Sequence, residues 1–449
     1  MEIPLDYVLA HFYRLYPQAN GIPITYGKEK GGTGIQIRKY AGSFFEGREP
    51  QPEQIVWHEW NGVRLPFFFD VGSPAEVIRY KSGSAIINYD IIASAFYLLS
   101  GWQEYHCTHR DRFGRFPYSA SVQSKYGFIA RPVVNYYFGI LKEAIEAHTK
   151  VRLEQRLWET GSFATCLTHD IDRLHSAWKV AGLQRVKKDR YLSVARLITK
   201  KLLRQDAWDN MQEVMALADL HQLKATCFWM ASTAKYRGHS NADYEVQHPK
   251  YQLLLQKLVQ QGHEVALHGS FGTSASSSRL LAEAVKLAVP VKGNRFHYLQ
   301  YQPDLTPQVL EESQLLYDSS LGFAEQFGFR NSFCHPFYPF DFKKRKACSY
   351  LELPLTLMDT TLYNPNYMHL RPAEVFPLLH PLLQEIKKFN GLFTILWHNE
   401  NISDYPEYPL GAHEQNWREV LQGILQQTTE AGTVYLTCAE AAAAFRGDL

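Results

Sequence analysis

The sequence is poor in the cysteine patterns that mark metal knuckles and disulfide frameworks. Its six cysteines include no C-x-x-C pair, and they lie far apart at Cys107, Cys166, Cys227, Cys334, Cys348 and Cys438. Because such sites need closely spaced cysteines, we expect reduced thiols instead. The chain also lacks a charge imbalance, with a formal net charge of +2. This balance predicts no nucleic acid partner.

Leader-like patterns and long apolar runs are missing as well. The N-terminal stretch MEIPLDYVLAHFYRLY does not have the basic and then apolar order of a secretory signal. The longest apolar stretch, Ile91 to Trp102, is interrupted by serines and is too short to span a bilayer. The 449 residues are 45% hydrophobic, which is typical of a globular chain with two or three domains. We therefore expect a cytoplasmic protein.

The first of two regions, residues 1–155, has a mixed α+β pattern. The apolar segments on either side of Asn61-Gly62 predict a hairpin with a two-residue turn. Asp90 can cap an apolar helix with the sequence IIASAFYLLSGWQEY, and a second helix is predicted over 132–148. These elements predict a smaller N-terminal domain of unknown role.

The second region, residues 156–449, alternates strands and helices. This order predicts a parallel sheet covered by helices, and the number of units favours a β/α barrel over an open doubly wound sheet, which stays an alternative. Helices are predicted over 210–221, 249–261 and 371–389. Strands are predicted over 163–168, 225–230, 264–268, 351–356, 392–397 and 433–437.

Polar residues follow several of these predicted strands. Residues two apart in a strand face the same side, so Asp170 and Asp172 are expected to point into one site. Two close carboxylates favour a cation or a shared proton. The structural alternative is an ordinary junction between a strand and a loop. His268 ends another strand, and neutral imidazole is a common ligand of zinc-like ions.

Two later segments continue this pattern. Arg295 and His297 have same-face spacing, and a guanidinium can orient a neighbouring carboxylate and favour its charged form. The backbone N–H of Tyr298 is a candidate oxyanion donor. The strand LFTILW runs into His398, a candidate general acid that Asn399 or Glu400 could orient.

These four segments together resemble the motifs of the NodB-homology domain of carbohydrate esterase family four, over roughly residues 160–440. That family consists of distorted β/α barrels that deacetylate sugars. The segment Thr168-His-Asp-Ile-Asp172 resembles its first motif, which implies Asp170 as the base and Asp172 as a metal ligand. His268 matches the first histidine of the second motif, and Arg295 with Tyr298 matches the third. The segment Ile395-Leu-Trp-His398 resembles the late motif that supplies the acid.

The chain departs from the family pattern at two places. The family's Asp-Asp pair is Asp-Ile-Asp here, so the roles of Asp170 and Asp172 could be exchanged. The second histidine of the second motif is replaced by Gly272. His297 is the first candidate for the third ligand, and His335 is the second.

The resemblance implies a hydrolase of carbon–nitrogen (non-peptide) bonds that removes an acetyl group from an N-acetylated sugar. It implies one divalent metal ion bound by Asp172, His268 and His297, with zinc as first choice and cobalt, nickel or iron as alternatives. Asp170, Arg295 and His398 would be catalytic. Candidates for carbohydrate contact include several aromatic residues and one amide side chain: Trp178, Phe296, Tyr298, Tyr301, Trp397 and Asn399.

Two rival functions and one further surface stay open. The fold could serve a degenerate glycan-binding protein, or a hydrolase of a different amide. Residues 179–204 carry nine Lys and Arg and one acid, Asp189. Such basic amphipathic segments lie on anionic membranes, and they also occur as solvated helices packed on a barrel. Sequence alone does not choose the oligomeric state.

Overall fold

The computed structural model describes residues 4–27, 34–70, 76–81, 83–155, 157–188, 190–203, 205–407 and 416–447. Two groups of elements follow one another along the chain. The first has an α+β arrangement and the second is built on one large parallel sheet. Short 3-10 helices occupy Pro17–Ala19, Phe44–Glu46, Tyr118–Ala120, Thr273–Ala275, His297–Leu299 and Asn399–Asn401.

The N-terminal region contains a four-stranded sheet in the order β1-β2-β6-β5 and a separate hairpin of β3 and β4. Its helices are α1 (Leu5–Leu15), α2 (Ile91–Leu99), α3 (Trp102–His106), α4 (Val122–Tyr126) and α5 (Val133–Thr149). Its strands are β1 (Ile24–Tyr26), β2 (Gly34–Ile37), β3 (Val56–Trp60), β4 (Val63–Phe67), β5 (Ile78–Lys81) and β6 (Ser84–Ile87).

Local signals in this region agree with the structure, with one exception. Asn61 and Gly62 both have positive φ and form the predicted hairpin turn. The Asp90 carboxylate caps α2 by accepting from the backbone N–H of Ala93 at 2.7 Å. The single long helix predicted after Asp90 is wrong, because the chain turns at Gly101 (φ 72°) and divides it into α2 and α3.

The second region forms a distorted β/α barrel, as the sequence predicted. Its strands are β7 (Phe163–Ile171), β8 (Thr226–Met230), β9 (Glu264–Gly269), β10 (Gly293–Phe296), β11 (Tyr317–Asp318), β14 (Leu351–Glu352), β15 (Leu357–Met358), β16 (Leu392–Leu396) and β17 (Thr433–Tyr435). The order is β14-β11-β10-β9-β8-β7-β16-β15, with β17 also paired to β7, and every pairing is parallel.

The barrel closes through one short stretch of chain. Residues 351–358 pair with β11 at their beginning and with β16 at their end. The single strand predicted over 351–356 is therefore divided into β14 and β15. Pro354 lies at the division, where a residue without an N–H cannot continue a hydrogen-bonded ladder.

Helices and one hairpin surround the sheet. The helices are α6 (Ala177–Val186), α7 (Tyr191–Leu202), α8 (Met211–Leu220), α9 (Pro249–Gln260), α10 (Ser277–Val285), α11 (Thr306–Ser313), α12 (Asp359–Tyr363), α13 (Pro372–Lys388), α14 (Trp417–Glu430) and α15 (Cys438–Arg446), and the hairpin pairs β12 (Phe340–Asp341) with β13 (Lys346–Ala347). Within the part of the chain that the structure describes, no helix is long and apolar enough to cross a membrane.

The two regions share one continuous apolar core. A buried ion pair joins them, in which the Arg330 guanidinium donates to both carboxylate oxygens of Glu104 at 2.8 and 2.6 Å. The Tyr7 hydroxyl donates to the Tyr338 carbonyl at 2.9 Å. The boundary between residues 155 and 156 stays a prediction, because the packing runs across it.

Candidate metal and catalytic site

The candidate site lies where neighbouring parallel strands end, the edge at which barrel enzymes carry their chemistry. Asp170 is near the end of β7 and Asp172 follows that strand. His268 near the end of β9 is opposite Arg295 of β10 in the sheet register. The structure therefore brings together side chains that are more than a hundred residues apart in sequence.

Three ligand atoms converge at this edge. Nε2 of His268 lies 3.1 Å from Oδ1 of Asp172 and 3.2 Å from Nδ1 of His297. Nδ1 of His297 lies 3.5 Å from the same Asp172 oxygen. Among the described residues, these three form the group of His, Cys, Asp and Glu side chains that could hold a metal ion.

The hydrogen bonds of His268 explain why this arrangement fits a cation. Its Nδ1 lies 2.7 Å from the Arg295 carbonyl, which can only accept, so Nδ1 carries the proton. In the neutral ring the Nε2 lone pair then faces Oδ1 of Asp172, which is also an acceptor. That oxygen is buried and accepts no hydrogen bond from any described residue. Acceptors facing each other need a proton or a metal ion between them, and Asp with two imidazoles is a donor set typical of zinc-like ions.

Burial would lower the pKa of His268, but the Asp170 and Asp172 carboxylates raise it, so a proton shared with Asp172 is the alternative to a metal ion. The pKa values of the other two residues agree with a metal ligand set. Burial lowers the pKa of His297 to about 4, so its ring is neutral near pH 7 and keeps a lone pair for a ligand bond. Burial alone would raise the pKa of Asp172, but the imidazoles of His297 and His268 outweigh it and hold that pKa below its usual range. Asp172 is therefore an ionised carboxylate.

Asp170 is held by a fully buried arginine. Nη1 of Arg295 donates to Oδ1 of Asp170 at 2.9 Å and to the Thr168 hydroxyl at 2.7 Å. The guanidinium also donates to the Ser319 carbonyl at 2.8 Å and to its hydroxyl at 2.9 Å. Its planar fork is thus fixed, and the second Asp170 oxygen is left facing His268 at 3.6 Å.

His398 lies beside the metal group, near the second carboxylate oxygen of Asp172. Its Nε2 lies 3.7 Å from Oδ2 of Asp172, and its Nδ1 lies 2.7 Å from Oδ1 of Asp359. The backbone N–H of His398 also donates to Asp359, at 2.8 Å. Burial would lower the pKa of His398, but the charge and hydrogen bond of Asp359 raise it well above the usual value.

Asp359 is a site residue that the sequence analysis missed. Neither Asn399 nor Glu400 orients His398, because their side chains point elsewhere. The Asn399 amide donates to the carbonyls of Trp208 and Arg173, and Glu400 pairs with Arg173 at 2.9 Å. A signal existed, since Asp359 lies three residues after the predicted strand over 351–356, and in the structure it directly follows β15.

The N-terminal region reaches the site through one loop, residues 111–115. The ring of Phe113 stacks on that of Tyr298, with centroids 4.5 Å apart. Nη1 of Arg115 donates to the Tyr298 carbonyl at 2.9 Å. Tyr298 and Leu299 have φ of 57° and 54°, a left-handed backbone that non-glycine residues rarely adopt. Arg115 therefore supports a strained turn directly beside His297.

Several predicted contact residues do not reach the site opening. Trp397 is fully buried in the core, as are Phe296 and Tyr301 to within a few per cent. The packing does not support a substrate contact for Trp397 or for Asn399. His335 lies apart from the site, with its ring nitrogens against Asn135, Gln155 and the Asn390 carbonyl. Tyr298 is half-buried beside the site, and Trp178 is exposed on α6.

Comparisons with known proteins give distant likenesses. A family described as a family of unknown function (DUF7033) matches residues 4–150. A comparison with curated proteins finds no match. Among solved structures, an inferred polysaccharide deacetylase from Mycobacterium smegmatis is 16% identical, with 64% of this chain and 92% of that chain covered and a TM-score of 0.42.

Two further solved structures cover a similar share of this chain. Puue allantoinase is 11% identical, with 64% of this chain and 91% of that chain covered and a TM-score of 0.43. The catalytic domain of a peptidoglycan N-acetylglucosamine deacetylase from Eubacterium rectale ATCC 33656 is 14% identical, with 63% and 90% covered and a TM-score of 0.30. All three TM-scores lie below 0.5, so the chemistry of this site has to be inferred from its side chains.

Removing a ligand should remove the metal. Purified protein should bind about one equivalent of zinc, cobalt or nickel, and Asp172→Ala and His268→Ala should each lose it, because two remaining donors hold such ions weakly. Elemental analysis after dialysis measures this, with His380→Ala on the exposed face of α13 as the matched control. Stoichiometric metal in both ligand variants would contradict the assignment.

The N-terminal loop should contribute to metal affinity. Arg115→Met removes the donor to the Tyr298 carbonyl, and we expect zinc affinity to fall about 10–100-fold, the usual effect of losing support behind a ligand. Competition with a chromophoric chelator measures this. Arg112→Met is the control, since Arg112 is exposed on the same loop. Equal affinities for the two variants would show that the loop does not position His297.

Proposed function

We propose that this protein is a metal-dependent hydrolase that removes an acetyl group from an N-acetylated sugar. One observation carries the proposal. A three-residue metal group lies between a carboxylate fixed by a buried arginine and an imidazole fixed by a buried aspartate. A site that only binds glycans needs neither of these two fixed proton-transfer groups.

The metal would be held by Asp172, His268 and His297. When bound, a zinc-like ion polarises the acyl carbonyl and lowers the pKa of water, which makes water a nucleophile near pH 7. Zinc is the first choice because two imidazoles and one carboxylate suit it, and cobalt, nickel or iron are alternatives with the same donors.

Asp170 is the proposed general base. One of its oxygens is occupied by Arg295, so the other is free to take the proton of the attacking water. Arg295 keeps the carboxylate aimed without competing for the metal, and Asp172 lies closer to both ligand histidines. This division of labour supports Asp170 as base and Asp172 as ligand, rather than the exchanged roles.

His398 is the proposed general acid. Water adds to the acyl carbon, the C–N bond breaks, and the departing nitrogen takes the proton from Nε2 of His398. An amide nitrogen leaves poorly without that proton. Asp359 holds Nδ1, which directs the other ring nitrogen toward the metal group and stabilises the charged ring. The products are acetate and the free amine.

The half-buried ring of Tyr298 beside the site supports a ring-shaped substrate, with buried aromatic side chains packed behind it. The Tyr298 ring lies 4.5 Å from that of Phe113 and 5.6 Å from that of Phe271 by centroids, and the His239 ring lies 4.5 Å from that of Phe271. Aromatic faces pack well against the apolar faces of sugar rings. A different cyclic or linear amide is the second candidate, since the hydrolytic groups do not depend on a sugar.

Replacing the base should abolish turnover and leave the metal in place. We expect Asp170→Asn to lower kcat by at least about 100-fold, because general base catalysis contributes 10²–10⁴-fold. Acetate release from N-acetylglucosamine oligomers measures activity, and elemental analysis measures metal. Asp341→Asn in the β12–β13 hairpin is the matched control. Undiminished turnover would remove Asp170 from this role, whereas sugar binding without any turnover by the parent protein would favour the binding-protein function.

Asp359 and His398 should act as one unit. We expect Asp359→Asn and His398→Ala each to lower kcat about 100-fold or more, and the double variant to be little worse than His398→Ala alone. Metal content should be unchanged in all three. Effects that multiply in the double variant would mean that Asp359 acts independently of His398.

A further inference from the structure

Helices α6 and α7 form a hairpin that presents an unusual amount of apolar surface. Eight of the eighteen exposed large apolar side chains among the described residues lie between residues 178 and 203. They are Trp178, Leu183, Val186, Tyr191, Leu192, Ile198, Leu202 and Leu203. Residues 189 and 204 of the basic segment identified in the sequence lie outside the described residues. Concentrated exposure of this kind marks an interaction surface.

The apolar face of α7 is not used for folding. Leu197 is the one buried residue among the described positions of this helix. Tyr191, Ala195, Ile198 and Leu202 have the spacing i, i+4, i+7 and i+11, which places them on one stripe, and all four are exposed. A helix that exposes such an apolar stripe to solvent is suited to bind another apolar surface.

The charge of the hairpin indicates which kind of surface the hairpin binds. Between residues 177 and 203 the sequence has one acid, Asp189, and eight cations: Lys179, Arg185, Lys187, Lys188, Arg190, Arg196, Lys200 and Lys201. Arg185 is buried, where it donates to the Pro406 carbonyl. Lys201 donates to the His175 carbonyl and lies 4.0 Å from Asp206. The exposed cations are Lys179, Lys187, Lys188, Arg196 and Lys200. Apolar side chains flanked by cations match an anionic bilayer, in which the former enter the acyl boundary and the latter meet phosphates.

The hairpin adjoins the candidate site. α6 begins shortly after Asp172, and the indole of Trp208, which follows α7, donates to the Tyr405 carbonyl in the chain segment after His398. Arg173 binds Glu400 in the same segment. A surface to which the hairpin binds therefore lies next to the strand ends that carry the metal group.

We propose that the α6–α7 hairpin docks the protein on an anionic lipid surface, beside the opening of the barrel. The docking does not require metal or catalysis. Under the proposed function it directs the site toward acylated amino sugars carried on membrane lipids.

Flotation of the full-length protein with vesicles tests this. Phosphatidylcholine vesicles with a quarter phosphatidylglycerol should bind the protein, neutral vesicles should bind it far less, and salt should weaken the binding. The Ile198→Ser/Leu202→Ser and Lys187→Glu/Arg196→Glu variants should each lose at least about tenfold in partitioning, as expected for two lipid-facing side chains or two charges.

Matched controls separate the hairpin from general surface effects. Leu220→Ser/Leu253→Ser removes two equally exposed leucines elsewhere, and Lys343→Glu/Lys346→Glu reverses two exposed charges on the β12–β13 loop. Both should bind like the parent. Asp172→Ala should also bind, so failure of the metal chemistry and failure of docking are distinguishable.

Three outcomes would overturn the proposal. These are no binding to anionic vesicles, binding that the hairpin variants do not reduce, and a dimer in light scattering that Ile198→Ser/Leu202→Ser dissociates. The last result would identify a second copy of this chain as the occupant of the surface.

Discussion

The site depends on one constraint, which is that acceptor atoms with lone pairs face one another at the ends of β7, β9 and β10. One proton of His268 is directed to the Arg295 carbonyl, so its other nitrogen can contact Asp172 only through a second proton or a metal ion. Arg295 takes part twice, because its carbonyl selects the tautomer of His268 and its guanidinium fixes Asp170. A single residue of β10 thereby couples the ligand group to the carboxylate beside it.

Features that depend on local periodicity could be predicted from the sequence. Asp170 and Asp172 face one site because side chains alternate along β7, and His268 lies at the end of a strand whose pattern was evident. The barrel itself follows from the alternation of strands and helices. Asp90 and the Asn61-Gly62 turn likewise depend on nearest neighbours in sequence.

Features that depend on contacts between distant segments could not be predicted from the sequence. Asp359 follows a strand of two residues, β15, and its partner His398 comes from the next strand along the barrel. The orientation of Trp397 and Asn399 was out of reach for a related reason. Trp397 and Asn399 lie two residues apart, and the packing of distant segments, which local sequence does not show, buries both side chains. The division of the 351–356 strand depends on which neighbours lie at each end.

The continuous core has a consequence for how the chain is made. Helix α1 is synthesised before the barrel, and Tyr7 and His11 contact their partner Tyr338 only after some three hundred further residues have been made. Glu104 likewise lacks its ion-pair partner until Arg330 has been synthesised. During that interval the apolar faces of α1, α2 and α5 have no barrel to cover them, and such surfaces aggregate readily. The nascent chain therefore exposes aggregation-prone apolar surface until the barrel has been synthesised.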